Sequence, residues 1–502
     1  MNKYLDLLAK TVRAALFCCE NDQNKTKKTK EKYFHLLDTL TIGRLIAGEN
    51  ISPDLEGALF LHDIGAIASF TKADHAQKGY DLLKEEGISS AELLLPIRYH
   101  EDDLTWRELL SADAAFRHAA ANVQSRIIFN CKCVRDADII SNMILIADDI
   151  PSESSFNPAL ICCLFNKEPG LMDDVLYPAD RLIYAFCGLF LLDLEDSVNF
   201  IRESGIVSYL VNKLLKMISG TCNETLACMI CRTMQPFCKN DLACENIYVP
   251  DCMDELDCSL PATVRKHSDI FREKFFYFTE LMRTFDLSEL SEKIQPVIKG
   301  SLAWTLNQAD FYREPKDFDI GIIQKRKEDN TTDVLKKLSE WLCSIYDCDV
   351  LPHEASDIVA LRCYYQSVFN EEAFFELEMT IMNDDVPTEH IKMLLPLFVD
   401  IVPAFISNMP PVADIKWLFV DKIFTAEKAF RNHDEKKLHQ CKADLTQMLG
   451  NPKIKSLISV PSELEKIIRI RAEEEKMREI SLYEGSVLNL SFIGADFQYT
   501  DM

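Results

Sequence analysis

The stretch Ala58-Leu59-Phe60-Leu61-His62-Asp63-Ile64-Gly65 constrains this chain most, because it sets two metal-ligand side chains side by side at the end of an apolar run. In a helix ending at Gly65, neighbouring side chains point about 100° apart, so His62 and Asp63 grip one ion only if further helices converge on it. A bare His-Asp pair is otherwise a polar helix end. The company it keeps decides between the two readings.

Upstream, apolar residues recur at helical spacing (Leu5, Leu8, Val12, Leu16, then Leu36, Leu37, Leu40, Leu45), which predicts two helices joined by the polar segment Asn24 to Lys32, with His35 on the second. Ile51-Ser52-Pro53-Asp54 is a cap signal for the helix that carries the pair. Downstream, Asp74-His75 opens a helix, Ile97-Arg98-Tyr99-His100 closes another, and Val134-Arg135-Asp136-Ala137-Asp138 lies on the next. A lone His is more often a satisfied polar residue than a ligand. A helical segment in which every element delivers a ligand-capable side chain is a different matter.

The phrases HDIG, DHAQKG, IRYH and RDAD, in this order within about residues 30 to 220, resemble the HD-domain metallophosphohydrolases. The resemblance implies an all-α domain in which His35, His62, Asp63 and Asp138 hold a divalent metal. Imidazole with carboxylate suits Mn, Fe, Co, Ni or Zn better than an all-oxygen Mg site. The metal would acidify a water and neutralise phosphate charge, with Asp63 placed to take the proton. His75 and His100 resemble positions that some members use for a second metal and others for substrate contact. Asp38 stands three residues after His35, where an Arg is often found, so one basic substrate contact is missing.

The net charge of −25 argues against bulk nucleic-acid binding, which needs clustered Lys and Arg. The basic runs Lys25 to Lys32 and Lys325 to Lys327 read as solvated faces. No apolar segment reaches membrane-spanning length and no targeting signal is visible, so a cytoplasmic location and no membrane partner are expected. The 18 cysteines then read as free thiols. Those from Cys222 to Cys258 crowd a Pro-broken segment with a single CxxC (Cys228, Cys231), which reads as a connection rather than a zinc knot.

In the second half, Val297-Ile298-Lys299-Gly300-Ser301 runs from a strand into a turn and helix. Strand alternation puts Asp317 and Asp319 on one face, and Glu376 and Glu378 on one face of another strand. Paired carboxylates of this kind hold Mg against a triphosphate. Gly-Ser followed by Asp-Phe-Asp resembles the nucleotidyltransferases of the polymerase β superfamily, and the AbiEii type in particular, the enzymatic half of a toxin–antitoxin class. That resemblance covers roughly residues 285 to 450. It implies that Gly300 and Ser301 cradle phosphates, that Asp317 and Asp319 bind Mg, and that Glu378, ahead of Glu376, is the third acid. Lys422 and Asp444 match its later Lys and Asp, and Arg313 reads equally as a phosphate contact or as a salt-bridge partner of a surface acid.

The expected architecture is mainly α: an HD-type domain over 1–220, a Cys-rich segment over 221–284, an α+β nucleotidyltransferase-like domain over 285–450 and a helical tail over 451–502, with Ser462 to Arg478 a charged helix. The expected function is a phosphohydrolase acting on a nucleotide or phosphoester, fused to a transferase of NMP to an RNA or protein acceptor, with an antitoxin as a further partner. The alternatives are a hydrolase with a nucleotide-sensing second half, and a scaffold with neither activity.

Overall fold

The computed structural model describes residues 2–70, 74–101, 106–148, 155–219, 224–238, 268–286, 289–307, 314–324, 331–352, 358–370, 373–382, 398–399, 410–450, 483–484 and 487–488. By contact the chain divides into two compact units, the first covering Met1–Ala262 with two short later segments and the second the remainder. Each is described by itself.

The first unit is all helical among its described residues: α1 (Asn2–Cys18), α2 (Gln23–Ala47), α3 (Pro53–Leu61), α4 (Ile64–Ser69), α5 (His75–Glu85), α6 (Ala91–Tyr99), α7 (Trp106–Ala112), α8 (Ala114–His118) and α9 (Ala121–Asp148), followed by α10 (Pro158–Asn166), α11 (Asp180–Gly188), α12 (Glu195–Ser204), α13 (Ile206–Ser219) and α14 (Glu224–Met234). On α9, Ile127, Cys131, Val134, Ala137 and Ile140 are fully buried at three- and four-residue spacing, one apolar stripe along a long helix. Each fully buried Ile or Val of this stripe contributes roughly 1.5–3 kcal/mol. α9 packs on α2, α3 and α6, and α4 packs on α5.

Two local expectations change. The polar segment Asn24 to Lys32 is not a loop but the first turns of α2, because the Asp22 side chain caps it by accepting from Lys25 N at 3.1 Å and nothing in the run is Gly or Pro. The helix carrying the His-Asp pair does not end at Gly65 either. It breaks at His62-Asp63, and Gly65 lies inside α4. A β-carbon on Gly65 would come within 2.1 Å of the His75 carbonyl oxygen and 2.4 Å of Gly79 N, so this glycine serves close helix packing, not a helix stop. The Ser52 cap is as expected, accepting from Leu55 N.

The second unit is α+β: α15 (Asp269–Asp286), β1 (Ile294–Ile298), α16 (Gly300–Leu306), β2 (Asp317–Gln324), α17 (Thr331–Ile345), β3 (Cys348–Leu351), β4 (Ile358–Tyr365), β5 (Ala373–Ile381), β6 (Phe398–Val399), β7 (Val412–Ala413), α18 (Ile415–Arg431) and α19 (Glu435–Gly450). The sheet order is β3-β4-β5-β2-β1-β7-β6. β2 runs parallel to β5 and antiparallel to β1, a mixed sheet in which the β2-to-β5 connection passes through α17, β3 and β4. Phe318 on β2 meets Phe278 of α15 at 4.7 Å and Phe375 of β5 at 5.5 Å. Alternation therefore turns Asp317 and Asp319 to the opposite face of the sheet. The charged helix expected at Ser462 to Arg478 lies outside the described residues.

Candidate metal centre

Six helices deliver the site in the first unit. α2 carries Lys32 and His35 one turn apart, His62 and Asp63 form the α3–α4 junction, His75 opens α5, His100 caps α6, and Asp138 lies on α9. Asp63 sits at φ −100°, ψ 11°, outside the helical region. That break brings two sequence neighbours together, with His62 Nε2 3.7 Å from Asp63 Oδ2. His35, His62, Asp63 and Asp138 each offer one ligand atom within 4.8 Å of the others, and Asp63, His75 and His100 form a second such group that shares Asp63. All the residues that the sequence singles out here are thus brought together.

The four imidazoles are oriented alike. Each ties its Nδ1 to an acceptor behind it: His35 to the Ser141 hydroxyl at 2.9 Å, His62 to the Leu59 carbonyl at 3.0 Å, His75 to the Glu101 carboxylate at 3.2 Å and His100 to the Ile97 carbonyl at 2.8 Å. The four Nε2 atoms therefore face inward, and a hydrogen bond behind each ring at Nδ1 is the arrangement that orients metal-binding histidines. His35 Nε2 lies 2.8 Å from Asp138 Oδ1, and His75 Nε2 lies 2.7 Å from Asp63 Oδ1 and 3.3 Å from His100 Nε2. His62 Nε2, fully buried, makes no hydrogen bond. A buried ring nitrogen without a hydrogen-bond partner, ringed by carboxylates, is a position suited to a cation. The donor set fits a divalent transition metal.

The electrostatics agree. Burial acts to raise Asp63, but Lys32, His62, His100 and His75 outweigh it and hold the carboxyl well below the usual range. Asp138 is likewise held well below, because the neighbouring His35 and His62 outweigh burial. Burial lowers His35, whereas His62 ends above its ordinary value because Asp63 and Asp138 outweigh burial. Of the neighbouring Arg135 and Asp136, the first pairs with Asp193 and the second accepts from Leu194 N at 3.0 Å, so they anchor the start of α12 rather than face the ligands.

Three participants escaped the sequence reading. Ser141 lies one turn after Asp138 and Glu101 next to His100, spacings that could have flagged them. Lys32, read as the end of a solvated polar run, instead reaches Asp63 Oδ2 with its ammonium. Its position three residues before His35 was the available signal.

In the second unit, β2 and β5 set Asp319 opposite Glu378 and Asp317 opposite Glu376. Glu376 pairs with Arg362 at 2.9 Å. Asp319 is pushed up to about 7 by burial and by the Asp317 and Glu378 charges, against the pull of Lys299 and Lys422. Gly300 has φ +65°, and a β-carbon there would fall 1.7 Å from Asp319 Oδ2. Ser301 is buried in α16, and Lys422 pairs with the fully buried Asp444 at 2.9 Å. Among the described residues these acids do not converge as the first unit's ligands do. Arg313, Lys325 to Lys327, Cys222, Cys244, Cys252 and Cys258 lie outside the described residues. No described helix is long and apolar enough to cross a membrane.

Neither a curated protein nor a solved structure matches the chain. A family model described as HD domain matches residues 33–143, a span that holds every ligand named above and stops short of the second unit. Residues 33–143 are therefore an HD domain with the His and Asp cluster of its metal sites, which implies a metal-dependent phosphohydrolase.

Proposed function

We propose that the first unit hydrolyses a nucleotide or another small phosphoester, with a divalent transition metal held by His35, His62, Asp63 and Asp138. The observation that carries this reading is the buried His62 Nε2, which makes no hydrogen bond amid two carboxylates and three further inward-facing imidazoles. When bound, the metal supplies Lewis acidity toward a phosphoryl oxygen and lowers the pKa of a nearby water. The chain's own residues do the rest. His35 and His62 present fixed lone pairs, and Asp63 ties the first ligand group to the second. Asp63 is placed as a shared ligand because its Oδ2 faces His35 and His62 while its Oδ1 faces His75 and His100. The facing Nε2 atoms of His75 and His100 favour a cation between them over a direct substrate contact. The test is metal content, together with a screen of nucleotides and phosphoesters, on the parent chain and on Asp63→Ala. A parent chain that retains no transition metal after purification and metal soaking sinks the reading.

For the second unit we propose nucleotidyl transfer from an NTP, with Mg held by Asp317, Asp319 and Glu378 and the phosphates met by Gly300, Ser301 and Lys422. What favours it is Gly300 pressed against Asp319 with Glu378 opposite in register, while Arg362 engages Glu376. In this reading Asp444 orients Lys422. Label from an NTP should enter an acceptor with the parent chain and fail to enter with Asp317→Ala. NTP binding without incorporation would make the unit a nucleotide sensor instead. The pairing of the two chemistries suits a chain in which one unit removes what the other adds. A labelled product that survives equally well with parent and with His62→Ala would count against that coupling.

A further inference from the structure

Lys32 is the one cationic side chain in contact with the ligand cluster among the described residues, and the proposed hydrolysis gives it no role. It projects from α2 one turn before His35 and its ammonium touches Asp63 Oδ2, the oxygen that also lies 3.6 Å from His35 Nε2 and 3.7 Å from His62 Nε2. Its ammonium thus stands at the corner of the cluster that a metal held by the first group would use. The approach is from the solvent side: Lys32 keeps 28% of its side chain exposed and Asp138 20%, while His35, His62, Asp63, His75 and His100 keep 3% or less.

An ammonium and a divalent ion repel at such range, so they compete for Asp63 Oδ2. A lysine head is a compact charge on a flexible four-carbon stem, able to leave one anion for another nearby. We propose that Lys32 is an internal counter-cation: it neutralises the ligand carboxylates before metal arrives, is displaced from Asp63 when metal binds, and then binds the phosphoryl oxygens of the substrate at the open side of the site. This rests on the hydrolase reading above and adds a second, non-metal phosphate contact to it.

The test uses the full chain as parent, Lys32→Met, Lys32→Gln and Lys32→Arg, with Mn titrated into the metal-free proteins and inorganic phosphate titrated into the Mn-loaded ones. With the competing charge gone, Mn should bind Lys32→Met at least about tenfold more tightly than the parent, and phosphate at least about tenfold more weakly. Lys32→Arg should keep phosphate affinity within about threefold. Should Lys32→Met not fold, Lys32→Gln carries the same comparison. Equal Mn affinity in parent and neutral variants overturns the counter-cation role, and undiminished phosphate affinity overturns the substrate contact. Failure of the parent itself to bind Mn is a different result, and it would tell against the metal-site reading rather than against Lys32.

Discussion

Gly65 and Gly79 meet backbone to backbone where α4 crosses α5, with room for no side chain on Gly65: a β-carbon there would lie 2.4 Å from Gly79 N and 2.1 Å from the His75 carbonyl oxygen. The contact fixes where α5 starts, and α5 starts with His75. Gly65→Ala must therefore push a ligand-bearing backbone away from Asp63. We expect a loss of about 1–3 kcal/mol in stability, typical of overpacking, and loss of the second ligand group before the first. Metal stoichiometry alongside thermal melting checks it; an Ala variant with parental stoichiometry and melting would contradict the packing argument.

Ser141 touches no ligand position itself but holds His35 Nδ1 at 2.9 Å. Outer hydrogen bonds of this kind are worth about 10–100-fold in metal affinity. Ser141→Ala should lose affinity in that range while the fold, read by far-UV circular dichroism, stays as it is. Unchanged affinity would mean that packing alone orients the ring.

Asp319 makes the second unit sensitive to pH. An unfolded Asp titrates near 3.9, about three below the value of about 7 to which burial and neighbouring acids push this one. The folded state therefore holds the proton more tightly, so the stabilisation is complete below about pH 3.9 and is lost as pH rises through about 7. Asp63 and Asp138, held low, act in the opposite sense but only in more acid solution. The metal-free chain should melt at progressively lower temperature between pH 5 and 8, and Asp319→Asn should melt higher than the parent at pH 8. Identical melting of the two at pH 8 would rule out the uncompensated charge.

Arg362 and Glu376, exposed by 35% and 43%, form a pair of the kind that contributes about 1 kcal/mol or less. Arg362→Ala should leave stability within that margin and Mg affinity unchanged, whereas Glu378→Ala should weaken Mg binding several-fold. A larger Mg effect at Arg362 than at Glu378 would reverse the assignment of the third acid.

Much of the first site was legible because His62-Asp63, His75 and His100 sit in short phrases at helix starts and ends, and the resemblance those phrases carry pointed to His35 and Asp138 inside their helices. His62-Asp63 announced itself by adjacency and Asp138 by its helix. Lys32 did not, because a run of Lys and Thr looks solvated until the Asp22 cap extends α2 through it and turns the last lysine inward. Gly65 looked like a helix stop because its true reason, the backbone of α5, lies across a crossing that no local pattern records. In the second unit alternation placed the acid pairs on their strand faces and the resemblance favoured Glu378 over Glu376, but the pairing of Glu376 with Arg362, a residue on another strand, was not readable from either.

The extension of α2 back to Gln23 has one more consequence. Lys32 and His35 ride on a single uninterrupted rod, so any twist or slide of that helix moves counter-charge and ligand as one, by gearing rather than by independent loop motion. An insertion of two residues between them would leave both chemistries intact on paper and turn them from about 60° to about 140° apart around the helix, uncoupling the two.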